Sequence, residues 1–396
     1  MTSKRRAELV RGNDAPERAT LLELLFDVAY VAALAVISVR LAGNTTLTGI
    51  AQLLVLLMAI WWTWSITAEL TDFFNPQTWP IQAMVASSMF GTILLAATIP
   101  FAFGSLGWAF AGVYVATHVG RGVVLVSVLR GHRAQARVAR FLFWFAVSGI
   151  FWVLGAFASD WARFAWWLLA IAIDYVAGGI RYPTPRLGRV PLEQYDQASG
   201  GHLGERYQQF IILALGDLIL VPTLRIGAVG FTPQRFGAFL AAFATTLLLW
   251  QIYVFRAGAI LQVAINLRPG RISRWAPYTH LLGAASIVSA AAGFDLVIVR
   301  PTGDTPVAWT AVIVGGPILF LGGRTVFEYV AFRIVAWSRL AWVALLIAIA
   351  PTMAFLPPVL TTTTTTTLVL CGIVVSDAIR AHWGSRSLPD VTSLRG

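Results

Sequence analysis

Apolar residues fall in twelve long stretches along this chain, with short polar segments between them. A transmembrane helix needs about 20 mostly apolar residues, so the pattern predicts an all-α, polytopic transmembrane helix bundle of about 12 spans. The last two stretches are the weakest, because one is short and the other begins with a threonine run, so ten or eleven crossings remain open. The predicted spans lie near residues 21–39, 47–67, 81–103, 106–129, 138–158, 164–180, 207–224, 236–255, 278–299, 307–323, 340–355 and 359–376.

Composition supports a membrane protein. Hydrophobic residues make up 58% of the chain and charged residues 12%, against about 25% charged in a soluble domain. The 16 tryptophans suit bilayer interfaces, where an apolar ring with one N–H group is favoured. The single cysteine, Cys371, permits no internal disulfide and no thiolate metal cage.

The basic residues indicate the orientation. If the N-terminus is cytoplasmic and the spans alternate, 23 of the 29 basic residues fall in cytoplasmic segments. Such an asymmetry follows the positive-inside rule. We therefore expect a multi-pass protein of the cell membrane with both termini in the cytoplasm. The net charge of +11 then reflects topology, and no nucleic-acid partner is expected.

The longest polar stretch, 181–204, contains three prolines and a Gly-Gly pair, which do not favour a continuous helix. It divides the chain into two predicted halves of six helices each. The predicted organisation is a basic cytoplasmic N-terminal segment (1–20), a first half (21–180), a cytoplasmic linker (181–204), a second half (205–376) and a cytoplasmic tail (377–396).

The two halves resemble each other in sequence. A Glu-Arg pair opens each half, and Arg18 precedes Trp61 by 43 residues while Arg206 precedes Trp250 by 44. Because both openings enter from the same side, the pattern predicts two parallel six-helix repeats about an axis near the membrane normal.

Five segments carry a family resemblance. They are ERATLLELLFDVAYV, WWTWSITAELTDFF, ERYQQFIILALGDLIL, PYTHLLGAASIVSAAAGFD and GGPILFLGG, in this order. In these segments the chain resembles the bacterial low-temperature-requirement A (LtrA) family of integral membrane proteins. The resemblance implies a multi-pass membrane fold and no particular reaction. Two positions depart from the family pattern: Asp217 stands where glutamate is usual, and Phe255-Arg256 stands where an acid is expected.

Acidic residues inside the predicted spans are the first candidate site. Glu23, Asp27 and Tyr30 share one face of the first helix, and Asp27 lies about 9–10 Å from its inner end. Two carboxylates this close in a low dielectric are costly to keep ionised, so we expect a bound proton, a cation partner or proton exchange. The alternative is a static ion pair or cap with Arg18.

Asp217 is the deepest acid of the second half, about 15 Å into the seventh predicted helix. It could face Asp27 across the pseudo-axis. The alternative is that its carboxyl O–H donates a hydrogen bond to a neighbouring backbone group.

Other ionisable groups are less decisive. Glu69 and Asp72 near the end of the second helix are equally compatible with solvation and function. His118 and Arg121 share a face of the fourth helix, where Arg121 is expected to neutralise a buried acid and His118 to be its neighbour or a proton relay. Three groups nearer to span ends are expected at the interface: Asp174, His280 and Asp295.

One functional hypothesis is a membrane-embedded, metal-independent enzyme that protonates an isoprenoid or polyene-like substrate and guides its cyclisation. It needs a neutral carboxylic acid and aromatic faces for a developing carbocation. The candidate catalytic residues are Asp27, Asp217 and Glu23. The candidate substrate-binding residues are Tyr30, Trp61, Trp62, Trp64, Glu69, Asp72, His118, Arg121 and Trp250. For the tryptophans, an interfacial belt is the alternative.

The sequence offers no cofactor motif. It has no Gly-rich phosphate loop, no paired cysteines and no DDxxD sequence, and the His202–Glu205 pair has no evident third ligand. We therefore expect no cofactor and no metal, and partners limited to the lipid bilayer and a hydrophobic small molecule.

The alternative function is a proton- or cation-coupled transporter or channel, which parallel halves and intramembrane acids also suit. A structural or lipid-binding role is a third hypothesis. The oligomeric state is left open by the sequence.

Overall fold

A computed structural model describes residues 8–12, 18–196, 200–267, 269–333, 335 and 337–383. Over these residues the secondary structure is helical, without a β-strand, and the predicted all-α transmembrane bundle is confirmed. Most of the predicted tail (377–396) and part of the predicted N-terminal segment (1–20) lie outside the described residues.

The helices follow the apolar stretches closely. In chain order they are α1 (Leu21–Gly43), α2 (Leu47–Phe73), α3 (Trp79–Thr98), α4 (Gly107–Val115), α5 (Arg121–Val128), α6 (Gln135–Phe157), α7 (Asp160–Gly179), α8 (Glu193–Asp196), α9 (Gly200–Ala214), α10 (Asp217–Val229), α11 (Pro233–Leu267), α12 (Pro269–Val299), α13 (Val307–Phe332), α14 (Trp337–Met353) and α15 (Pro358–Trp383).

Within the described chain, nine helical stretches are long and apolar enough to cross a membrane. Two of them join consecutive helices, α4 with α5 and α9 with α10. The chain is therefore a multi-pass membrane protein in contact with a lipid bilayer. Helices α7, α14 and α15 coincide with predicted spans but are not among the nine, so a total of about 12 crossings stays a prediction.

Two predicted spans are interrupted. In the fourth span, the π-helical turn Ala116–Gly120 separates α4 from α5. In the seventh, a turn at Leu215 and Gly216 separates α9 from α10. The sequence pattern predicted continuous helices at both places, because apolar periodicity does not reveal a local change in backbone hydrogen bonding.

The chain forms two compact units. The first comprises Met1–Ile37, Leu47–Phe210 and Ser273–Pro277, and the second comprises Ser38–Thr46, Ile211–Ile272 and Tyr278–Gly396. The predicted halves and their parallel repeat stay predictions.

In the first unit, α2 is the most enclosed span, and it packs against α3 and α7. Helix α6 packs against α4, α5 and α7. In the second unit, α13 packs against α14 and α15, while α11 packs against α10 and α15. Helices α12 and α13 approach closely at Gly316, where a Cβ atom would lie 2.8 Å from the backbone nitrogen of Ala290. Only glycine fits this approach.

Candidate functional site

The first turn of α1 fixes the position of Glu23. The Thr20 backbone N–H donates a 2.8 Å hydrogen bond to Glu23 Oε2, and the Glu23 N–H donates to Thr20 Oγ1 at 3.3 Å. This reciprocal pair is a capping box, which satisfies two backbone donors at a helix start. Thr20, rather than Arg18, is the described partner of Glu23 in this cap. Glu23 is buried with Asp27 and Tyr30 along one face of α1.

Asp27 is held by a cation and an indole. Arg206 of α9 donates to Asp27 Oδ1 at 2.7 Å, and Trp64 Nε1 of α2 donates to the same oxygen at 2.8 Å. The Arg206 guanidinium also lies over the rings of Phe26 and Trp64, at 5.6 and 6.0 Å from their centroids. All of these side chains are buried. A carboxylate so paired is stabilised in its ionised form.

His202 joins two further carboxylates. Its Nδ1 lies 3.1 Å from Asp72 Oδ1 and its Nε2 lies 3.3 Å from Glu23 Oε2. His202, Glu23 and Asp72 are all buried. We call Glu23, Asp27, Asp72, His202 and Arg206 the histidine–carboxylate cluster. Among the residues that the structure describes, no group of three or more His, Cys, Asp or Glu side chains is placed to hold a metal ion.

Arg11 lies at the edge of this cluster, outside the spans, and donates to the Thr71 carbonyl at 3.4 Å. Burial lowers the pKa of Arg11, while the nearby Asp72 and Glu23 carboxylates oppose that change.

The tryptophans of α2 pack inside the protein. Trp61 stacks on Trp64 with ring centroids 5.0 Å apart, and its Nε1 donates to the Pro277 carbonyl at 2.6 Å. Trp62 stacks on Tyr175 at 4.2 Å. All three tryptophans are buried. An interfacial belt is therefore wrong for these three, because protein side chains cover their rings.

His118 lies in the π turn between α4 and α5. His118 and Arg121 contact two threonines of α2, Thr63 and Thr67. Arg121 donates to Thr67 Oγ1 at 2.8 Å and to His118 Nδ1 at 3.0 Å. His118 Nε2 lies 3.0 Å from Thr63 Oγ1, whose own proton goes to the Ala59 carbonyl. His118 therefore donates from Nε2 and accepts at Nδ1, as a neutral imidazole does.

Arg121 makes no ion pair with a carboxylate among the described residues. Arg121 was expected to neutralise a buried acid. Glu69 is near enough to interact with it electrostatically, but Glu69 is hydrogen-bonded at 2.6 Å to Arg137, so that expectation stays a prediction.

Asp217 lies in the second unit, in the first turn of α10 after the helix break. Ser38 donates a 2.7 Å hydrogen bond to Asp217 Oδ2, and both side chains are fully buried. Within the described residues Oδ1 has no hydrogen-bond partner and the carboxyl group has no ion-pair partner. A carboxylate without a cation is costly in a low dielectric, and binding a proton removes that cost.

The break before Asp217 depends on Gly216. Its backbone N–H donates to the Leu213 carbonyl at 2.9 Å, which is a tighter turn than the α-helix makes. A Cβ atom on Gly216 would lie 2.8 Å from that carbonyl oxygen. Glycine therefore allows the turn, and the turn places an acid at the start of a helix, where the macrodipole favours negative charge.

Two acids and a histidine were expected at the interface. Asp174 is buried and accepts a 2.8 Å hydrogen bond from Tyr114. Asp295 pairs with Arg225, whose Nη2 donates to it at 2.8 Å. The histidine, His280, lines a cavity of the second unit with about 380 Å³ of empty space.

A comparison with protein families agrees with this picture. The sequence model of the family described as "Bacterial low temperature requirement A protein (LtrA)" matches residues 18–375. The chain belongs to the LtrA family. The match includes every candidate site residue of both units.

Among LtrA relatives, the "Uncharacterized protein RA0937" of Rhizobium meliloti (strain 1021) is 30% identical over 350 residues. The alignment covers 86% of this LtrA chain and 84% of the relative. No solved structure matches the chain.

The candidate residues predicted from the LtrA sequence fall into several places. Glu23, Asp27, Asp72, Trp61 and Trp64 come together around the histidine–carboxylate cluster. The other candidates of the first unit have other contacts: Tyr30 lies further along α1, Trp62 packs against Tyr175, Glu69 pairs with Arg137, and His118 bonds to Arg121. Asp217 and the partly exposed Trp250 belong to the second unit.

Sequence reasoning missed His202 and Arg206 as members of the site. Both lie on α9, four residues apart and thus on one helical face. The sequence pattern indicated Arg206 only as part of the Glu-Arg opening, and His202 only as a weak candidate metal ligand. The useful signal was the spacing of these two basic groups just ahead of an apolar span.

Proposed function

We propose that this LtrA protein is a proton-coupled membrane transporter in which Asp217 reversibly binds the coupling proton. The observation that carries the proposal is the setting of this carboxyl group. It is fully buried, it follows a break in a membrane helix, and a serine hydroxyl is its one described partner. A proton is the smallest species that neutralises such a group.

The helix break supports a transport role. Discontinuous membrane helices are typical of transporters, where they form substrate and coupling-ion sites near the bilayer midplane. The turn at Gly216 offers a point where α9 and α10 can change their relative angle while Asp217 gains or loses its proton.

The histidine–carboxylate cluster supplies a second group that responds to protons. Histidine changes charge between pH 5 and 8, and His202 lies between the Glu23 and Asp72 carboxylates. A change of its protonation alters the net charge of a buried cluster that also contains an ion pair. Such a change of charge in a low dielectric drives conformational switching.

The cyclase hypothesis is the second candidate, and the same carboxyl group favours it. A neutral Asp217 is suited to donate a proton to an isoprenoid chain. Asp27 is less suited to that role, because Arg206 and Trp64 stabilise its ionised form. The faces of Trp61, Trp62 and Trp64 are covered by protein rings rather than open to a carbocation, so transport is the better supported of the two.

The orientation belongs to the same proposal. In this proposal both termini lie in the cytoplasm, and the two halves are parallel repeats. The positive-inside distribution of 23 basic residues supports this orientation.

Purified protein in sealed liposomes with an internal pH dye tests the proposal. An imposed pH gradient or substrate gradient should drive proton flux, and Asp217→Asn should abolish it, since an amide keeps the shape but binds no proton. Asp217→Glu should retain flux, because it keeps the carboxyl group. The matched control is Asp295→Asn, which removes another buried acid of the same unit, one that has a cation partner.

The same preparations, supplied with candidate isoprenoid substrates, distinguish the two functions. Product formation that depends on Asp217, without proton flux, would replace the transporter by the cyclase. If Asp217→Asn changed neither activity in a protein that has one of them, the proton-binding residue would be misplaced.

A further inference from the structure

We propose that Arg121 and the cavity beside it form a binding site for a single small monovalent anion such as chloride. The proposal concerns the first unit and does not depend on the transport function. It rests on a comparison of the groups bonded to Arg121 with the groups bonded to the other buried arginines of this unit.

Arg121 lies deep in its span. It begins α5, seven residues before Val128, which is about 10 Å of helix rise. Its side chain is 7% exposed. A cation at such a depth is expensive and normally pairs with an acid, with backbone carbonyls or with a bound ion.

The other four buried arginines of this unit meet that requirement within the protein. Arg206 and Arg137 each bind a carboxylate, at 2.7 and 2.6 Å. Arg140 donates to the carbonyls of two loop residues. Arg163 donates to several carbonyls, the shortest bond being 2.6 Å to Gly104.

Arg121 differs from all four, because neither a carboxylate nor a backbone carbonyl is among its described partners. Its described partners are a threonine hydroxyl and the Nδ1 atom of a neutral His118. Neither Thr67 nor Thr63 carries a negative charge, and both hydroxyl protons are used on carbonyl oxygens of α2. The hydrogen bonds are therefore satisfied, while the positive charge is not balanced by any directly bonded group among the described residues.

A cavity lies against this guanidinium. It has about 210 Å³ of empty space, of which only a small part is wide enough for a water-sized atom. Arg121 and His118 are its polar lining, and the rest is apolar: Leu70, Gly122, Leu125, Val138, Phe141, Leu142 and Phe145. The space is too small for an acyl chain or a phosphate ester, and a single chloride ion, which is larger than a water molecule, requires a small outward shift of the apolar side chains around it.

An anion here would balance the charge of Arg121, which no directly bonded group among the described residues neutralises. The apolar walls strengthen its attraction to the guanidinium, because Coulomb interactions grow as the effective dielectric falls. They also discriminate against divalent anions, whose dehydration costs more and whose second charge has no partner here.

The test is the thermal stability of protein in lipid nanodiscs, followed by tryptophan fluorescence. Sodium chloride replaces sodium gluconate at constant ionic strength, and chloride is the probe. A ligand that binds only the folded protein raises Tm in proportion to the logarithm of its excess over Kd. We expect a rise of about 3 °C between 1 and 100 mM chloride.

Arg121→Gln should remove this rise, whatever its own Tm. Arg121→Lys keeps the charge but loses the planar fork, so it should retain the rise and shift the half-saturating chloride concentration upward by about 3–10-fold; it also serves if the glutamine variant does not fold. Arg140→Gln, which removes a buried arginine bonded to carbonyls, should keep the wild-type chloride response.

Two results would overturn the site. A wild-type Tm that does not change with chloride would mean that water alone occupies the cavity. A chloride response of equal size in Arg121→Gln would place the anion elsewhere on the protein.

Discussion

Arg206 donates a 2.7 Å hydrogen bond to Asp27, and neither side chain has any exposed surface. The two residues lie 179 positions apart in the chain. The pair joins the first helix of the first predicted half to the first helix of the second, and it stands beside His202. Because both side chains are buried, replacing them tests how much this ion pair contributes to the free energy of unfolding.

Replacing one member of this pair should be more harmful than replacing both. Arg206→Gln leaves the Asp27 carboxylate without its cation, and we expect a loss of about 3–5 kcal/mol in the free energy of unfolding. The double variant Asp27→Asn/Arg206→Gln should recover a large part of that loss. Unfolding in detergent, followed by tryptophan fluorescence, measures both variants against the wild-type protein.

The control for this comparison is Arg225→Gln, which breaks the pair with Asp295. The Arg225 side chain is 33% exposed, so water screens the charges and the loss should be below about 1 kcal/mol. Equal losses for Arg206→Gln and Arg225→Gln would mean that burial does not determine the strength of these pairs.

His202→Gln should weaken the pH dependence of proton flux in liposomes. Glutamine can donate a hydrogen bond to one of the two carboxylates, Glu23 or Asp72, but it does not change charge between pH 5 and 8, as histidine does. The flux of the wild-type protein should vary more steeply across this interval than that of the variant, which keeps only the contribution of Asp217. His280→Gln, on the cavity of the second unit, is the matched control and should leave the pH profile as it is. An unchanged profile in His202→Gln would exclude His202 as the group that responds to pH.

Gly216→Ala should impair the protein, whereas Gly227→Ala in the same helix should not. A Cβ atom on Gly216 would lie 2.8 Å from the Leu213 carbonyl oxygen, but one on Gly227 meets nothing within 4 Å. Gly227→Ala should be neutral or stabilising by up to about 1 kcal/mol, since alanine favours a helix. We expect Gly216→Ala to reduce flux and lower Tm. If the two variants behaved alike, the turn before Asp217 would not depend on glycine.

Reporter fusions at Arg186 and Arg395 test the proposed orientation. Both positions should lie in the cytoplasm, because the basic residues concentrate in the segments assigned to that side. Arg395 is outside the residues that the structure describes. Paired reporters that are active on opposite sides of the membrane give the measurement. An external signal at either position would contradict an even number of spans.

The sequence by itself determined the membrane-spanning helices and the family. Apolar length predicts a membrane helix because the bilayer demands it of each segment separately. The common face of Glu23 and Asp27 followed from helical periodicity, which is also local. The LtrA resemblance needed only the order of short motifs, and the family match confirms it.

Only the tertiary structure decided what these acids bind. The basic partners of Asp27 and Glu23, Arg206 and His202, lie on α9, far along the chain, and no periodicity within α1 points to them. The neutral partners of Arg121 were hidden for the same reason, since its charge suggested an acid and the packing brought a threonine and a histidine. Local patterns predict which side chains share a face of a helix, whereas long-range packing decides which groups contact them. In a low dielectric, that choice of partner decides which charges persist and which groups bind a proton.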